Sequence, residues 1–171
     1  MVDFSKSGLL NSLQRTVADK HLESISRDAQ TDAMNYIQKF GGGIGEFHGR
    51  SGTINTIGLA SEIALRGAIG QFSMSWEYDC SVCSTGKSVK DATFQCDFKF
   101  EMTDVYDFAG PRWQDDLINF VLGTGGDGWG GIPYWTIAKW NGSGGGKVIK
   151  GITKKRFNQF LGGRINDYFY Y

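Results

Sequence analysis

Proline and histidine each occur only twice in the 171 residues, and no stretch is long and apolar enough to span a bilayer. Scarce proline, with 25 glycines, implies loops that are flexible rather than stiff. With two histidines no nucleophile–histidine–acid triad can be assigned, and the G-x-S-x-G elbow is missing. The spacing G-x-x-x-x-G-K-[ST] is missing too, and the glycine-rich GTGGDG follows a helical pattern rather than a strand. These glycine segments therefore read as connectors or lids. Formal net charge is zero, which argues against wholesale nucleic-acid binding. The start MVDFSKSGLLNSLQ lacks the basic-then-apolar order of a secretory signal. The expectation is a chain made soluble, a domain released from something larger, or a protein exported without a cleaved signal.

What is present suits one domain over residues 1–171, mainly helical in 1–70 and sheet-containing in 71–171. Residues 4–40 repeat apolar side chains at helical steps, with Leu9, Leu10, Leu13 and Val17 followed by Leu22, Ile25, Ala29, Ala33 and Ile37. A break near residues 19–21 would give two helices, and the GGG from position 41 stops the second. GGGIGEFHGRSG is expected to be a mobile loop carrying Glu46, His48 and Arg50, and INTIGLASEIALRGAIG a buried helix.

The clearest pattern is a hairpin. Phe72, Met74, Trp76, Tyr78 and Cys80 alternate with polar residues, and Phe94, Cys96, Phe98, Phe100 and Met102 do so again after a turn near Gly86. Beyond it, RWQDDLINFVLG reads as a helix, IPYWTIAKW as a strand and NGSGGG as a turn. KVIKGI reads as a short strand, KKRFNQFLGG as a short helix and RINDYFYY as an edge strand. The fold class is α+β: N-terminal helices packed on a curved, mainly antiparallel, half-barrel-like sheet.

Charge is unevenly spread. Residues 51–146 hold eleven acids against six bases, and residues 147–171 hold six bases against Asp167 alone. Such a tail suits an anionic surface or intramolecular pairing, of which pairing is the expectation. Among the three cysteines, Cys80 and Cys83 form C-x-x-C and Cys96 follows. Zinc would need His48 as a fourth ligand and lacks a second tight pair, so a disulfide or free apolar thiols fit better.

The strand from Phe98 raises the sharpest question, because its apolar face continues into Asp104 and Tyr106. If the strand stops near Met102, Asp104 is a turn residue capping amides. Otherwise Asp104, Tyr106 and Asp107 gather at a strand mouth, where neighbouring carboxylates resist joint ionisation and can hold a divalent cation or relay a proton. Arg112 can neutralise charge developing on a phosphate there.

The run DVYDF resembles the D-x-Y-D-[FY] core of the colicin M family of bacteriocin toxins. That resemblance implies a bacterial toxin hydrolase that cleaves lipid II between its undecaprenyl chain and pyrophosphate, with Mg2+, and so blocks peptidoglycan synthesis. It implies Asp104, Tyr106 and Asp107 as catalytic residues, Asp104 and Asp107 as metal ligands, and Arg112 as the basic residue downstream. Arg112 stands closer to the motif than in the family, and Ala109 replaces an asparagine often found there. His48, with Arg50, would supply the missing histidine from elsewhere in space. Further implications are secretion or delivery from a producer, action in the target periplasm on a lipid-linked precursor at a membrane surface, a monomeric state and an immunity protein as partner. The aromatic segments GWGGIPYW and YFYY suit a membrane interface or a core. The rival class is a non-enzymatic binding or assembly module of a secreted or injected bacterial or phage particle. A further enzymatic rival is peptidoglycan or nucleic-acid hydrolysis through His48.

Overall fold

No glycine or proline interrupts the sequence between Leu9 and Phe40, so no backbone chemistry stops a helix there. The computed structural model, which describes residues 2–3, 9–51, 53–56, 72–86, 88–106, 134–161 and 164–165, has one continuous helix, α1 (Leu9–Phe40), over that span. The expected break near residues 19–21 does not occur. His21 and Leu22 are half-buried and carry the apolar stripe from Val17 to Ile25. Gly41 ends α1 with φ 86°, and its N–H donates to the Ile37 carbonyl at 2.8 Å, closing the last turn as glycine readily does.

The strands are β1 (Val2–Asp3), β2 (Gly43–Arg50), β3 (Ile54–Thr56), β4 (Phe72–Ser84), β5 (Thr93–Tyr106), β6 (Tyr134–Lys147), β7 (Phe157–Leu161) and β8 (Arg164–Ile165). They form one sheet in the order β2-β4-β5-β6-β7-β8, with β3 also on β4 and β1 also on β6. All pairs are antiparallel except β1 with β6. The α+β class holds: a helix on one face of a curved, mainly antiparallel sheet that does not close into a barrel.

Alternation decides the faces. The even-numbered residues of β4 and β5, from Phe72 to Ser84 and from Phe94 to Met102, are buried, and the odd-numbered ones face solvent. Ala29 and Ala33 of α1 share one core with Trp76, Tyr78 and Phe98, small helix residues leaving room for large rings on the sheet. Phe100 stacks on Trp140 at 5.2 Å between centroids, and Phe157 meets Phe98 and Phe100 edge-on at 6.0 and 6.1 Å, which ties β5, β6 and β7 together. Polar contacts pin α1 to the turn after β6. The buried Ser26 hydroxyl accepts the Ile152 N–H at 2.7 Å, Gln30 donates to the Val148 carbonyl, and Asp19 pairs with Lys154.

Several expectations change. GGGIGEFHGRSG is not a loop in its central part but the edge strand β2, so the N-terminal part contributes to the sheet as well as the helix. Ile54, Asn55 and Thr56, expected to open a helix, form β3; the rest of that stretch lies outside the described residues. NGSGGG is not a turn. It is the second half of β6, and its glycines are there because neighbours crowd it: a Cβ on Gly146 would meet the Gly151 carbonyl oxygen at 2.3 Å. The chain turns instead at residues 148–150, inside the expected strand KVIKGI. KKRFNQFLGG contributes only a 3-10 turn (Lys154–Arg156) and then β7, because the buried Phe157 inserts into the aromatic cluster as a sheet residue. The expected helix RWQDDLINFVLG lies outside the described residues. RINDYFYY begins as β8, and residues 166–171 are likewise outside.

Candidate functional site

Pairing between β5 and β6 runs without a break from Thr93↔Lys147 to Tyr106↔Tyr134, with Asp104 opposite Thr136 and Val105 opposite Trp135. Asp104 is therefore a strand residue and not a turn cap. It occupies the same parity as the buried Phe98, Phe100 and Met102. β4 pairs with β5 as far as Ser73↔Thr103, and Asp104, Val105 and Tyr106 continue the pairing with β6. The acidic motif thus begins one position past the last described β4–β5 pair. The side chains of Asp104 and Tyr106, and all of Asp107 and Arg112, lie outside what is described.

His48 is elsewhere. It sits on β2, where the register aligns it with Asp79 on β4 and, through Asp79, with Asp97 on β5. That row is seven residues along β5 from Asp104 and two strands to the side, about 25 Å at ordinary strand spacing. It also has the opposite parity, on the solvent face. Arg50 lies in the row of Glu77 and Lys99, about 20 Å from Asp104 by the same spacing. The structure does not bring His48 or Arg50 to the acidic motif.

What His48 does meet is a carboxylate. Its Nδ1 lies 2.8 Å from Asp79 Oδ1, and Lys99 Nζ lies 3.4 Å from Asp79 Oδ2. The His48 hydrogen bond, with Lys99 adding to it, holds the Asp79 carboxyl below its ordinary range. His48 and Asp79 are 58% and 59% exposed, so this is a solvent-exposed pair rather than a buried relay. A carboxylate on Nδ1 orients the ring and leaves Nε2 as the nitrogen for proton exchange. The pair borders an open cavity of about 510 Å³ together with Glu46, Ser81, Gln95 and Asp97.

Asp79 and Lys99 were not singled out by the sequence. Their signal was the polar half of the hairpin alternation, which names the wet face but not which charges meet across it. Among the described residues no three His, Cys, Asp or Glu side chains are grouped to hold a metal ion. Cys80 and Cys96, directly opposite in the β4–β5 register, form a disulfide, and Cys83 is a free, exposed thiol. Two of the three sulfurs are thus bonded to each other, which removes the zinc reading.

The chain matches no family model, no curated protein and no solved structure.

Proposed function

We propose that this protein is a bacterial toxin hydrolase that cleaves the lipid II phosphodiester between the undecaprenyl chain and pyrophosphate. The observation that carries the reading is the position of DVYDF. Its first three residues are the last of β5, in an open sheet, one position past the last described β4–β5 pair, Ser73↔Thr103. A strand end of this kind can present a carboxylate and a phenol to a substrate without ordering a long loop. The Cys80–Cys96 bond supports an oxidising destination such as the target periplasm.

In this reading Asp104 acts as general base or metal ligand, and Asp107 is its electrostatic partner. Tyr106 orients a carboxylate or hydrogen-bonds a phosphate oxygen, and Arg112 clamps the phosphate as negative charge develops. Mg2+, held by Asp104 and Asp107, would supply charge neutralisation at the phosphoryl oxygens. An immunity protein covering this strand end is the matching partner.

The test is incubation of the protein with purified lipid II and Mg2+, with and without chelator, followed by product chromatography. Asp104→Ala should lose cleavage while unfolding normally, and His48→Ala should retain it, since that ring lies on the other face and far along the sheet. Cleavage surviving Asp104→Ala would overturn the assignment. The His48–Asp79 contact favours a second reading, hydrolysis of peptidoglycan or nucleic acid with His48 as the base, for which His48→Ala is the decisive loss. If neither substitution alters any hydrolysis, the chain is a binding or assembly module.

A further inference from the structure

The solvent face of the sheet has a second cleft, past the His48 cavity, bordered by Gly145 and Gly146 of β6. Its volume is about 570 Å³ and its polar lining includes Ser81, Thr93, Gln95, Lys155, Arg156 and Asn158. Among the described residues no carboxylate lines it, although the adjoining cavity, which shares Ser81 and Gln95, is bordered by Glu46, Asp79 and Asp97. We infer that this cleft is a binding site for a phosphate-bearing small molecule, separate from the end of β5.

The floor follows from sequence. The absence of a Cβ at Gly145 admits the Gln95 side chain, whose Oε1 lies 2.3 Å from where a Cβ would stand. The basic wall follows from the short turn Lys154–Arg156. Arg156 N–H donates to the Thr153 carbonyl at 2.9 Å, and the next residue, Phe157, is fully buried against Phe98 and Phe100. The turn is therefore anchored on the core. Of its three cations, Lys154 is taken by Asp19 of α1. Lys155 and Arg156 border the cleft, and among the described residues neither makes an ion pair.

A guanidinium fork and a point-charge ammonium, beside the hydroxyls of Ser81 and Thr93 and the amides of Gln95 and Asn158, match the oxygens of a phosphoryl group. The space exceeds what bare phosphate needs and falls within the usual range of small-molecule sites. Ile44, at the opposite rim, is 84% exposed and offers an apolar contact for an organic moiety. Gln95 stands nine residues from Asp104 along β5, about 30 Å at strand spacing, so occupancy here does not compete with the acidic motif.

The experiment is a titration with inorganic pyrophosphate at constant ionic strength, with chelator present so that no metal bridges the anion to carboxylates. Binding is followed by calorimetry and by backbone amide shifts. One equivalent should bind, with shifts at Thr93, Gln95, Gly145 and Asn158. A Lys155→Gln/Arg156→Gln chain should bind at least tenfold more weakly while its urea midpoint stays in place, and Asp104→Ala should bind like the wild type. Absence of saturable binding, undiminished binding by the double variant, or loss in Asp104→Ala would each overturn the assignment. None of these outcomes depends on whether lipid II is cleaved, so the two proposals stand or fall separately.

Discussion

Reduction of the Cys80–Cys96 bond opens a cross-link between residues 16 apart, directly opposite each other on β4 and β5. In the chain-entropy account, closing a loop of that length removes about 10 cal/mol/K from the unfolded chain, so the bond contributes about 3 kcal/mol at 25 °C. That is a large share of the roughly 5–15 kcal/mol that holds a typical domain. The folded state itself should change little. Cys80 and Cys96 are 4% and 1% exposed, and free thiols in their place remain small, buried, apolar groups. The loss is expected through the unfolded ensemble.

Urea unfolding followed by tryptophan fluorescence is the assay, since Trp76 and Trp140 are buried in the core. Reductant should lower stability by about 3 kcal/mol, lower Tm by about 6–12 °C and steepen the denaturant dependence as the unfolded chain expands. A Cys80→Ala/Cys96→Ala chain should unfold close to the reduced wild type and ignore reductant. Identical midpoints for oxidised and reduced wild type, once thiol titration shows all three cysteines free, would refute the reasoning.

Two further substitutions test the packing of α1 and β2 against the sheet. A Cβ on Gly49 would lie 2.3–2.5 Å from the ring of Tyr78, which is 2% exposed and donates its hydroxyl to Asp32 at 2.7 Å. Gly49→Ala should therefore cost about 1–3 kcal/mol by urea unfolding, and a double substitution with Tyr78→Ala should cost less than the two losses summed. Asp28 has its pKa raised, by burial first and by Asp32 as well, against the pull of Arg27. A raised carboxylate pKa means that stability is lost as pH rises from the ordinary value of 3.8 through the folded-state value. Asp28→Asn, neutral throughout, should accordingly be more stable than wild type at pH 7, and the gap should narrow below pH 4. A gap that widens on acidification would contradict the sign.

The hairpin was legible because alternation of apolar and polar residues directly states which side of a strand is buried. The helical stripe was legible too, but its continuity was not, since Leu22 sustains it by packing against a core built largely from sheet residues that the local pattern does not contain. Glycine misled at both β2 and β6. A run of glycines looks the same whether it permits a turn or admits a neighbouring chain, and the difference is set by residues distant in sequence, such as Gly151 beside Gly146 and Tyr36 beside Gly45.

The same division holds for the sites. Composition and period two determined that β4 and β5 would have one dry and one wet face, and that Asp104 would follow the dry positions. Only the register between strands decided that His48 meets Asp79, that it stands far from Asp104, and that Lys155 and Arg156 border a cleft floored by glycine. Periodicity is a property of one segment, whereas register is settled by the simultaneous burial of every segment's apolar face.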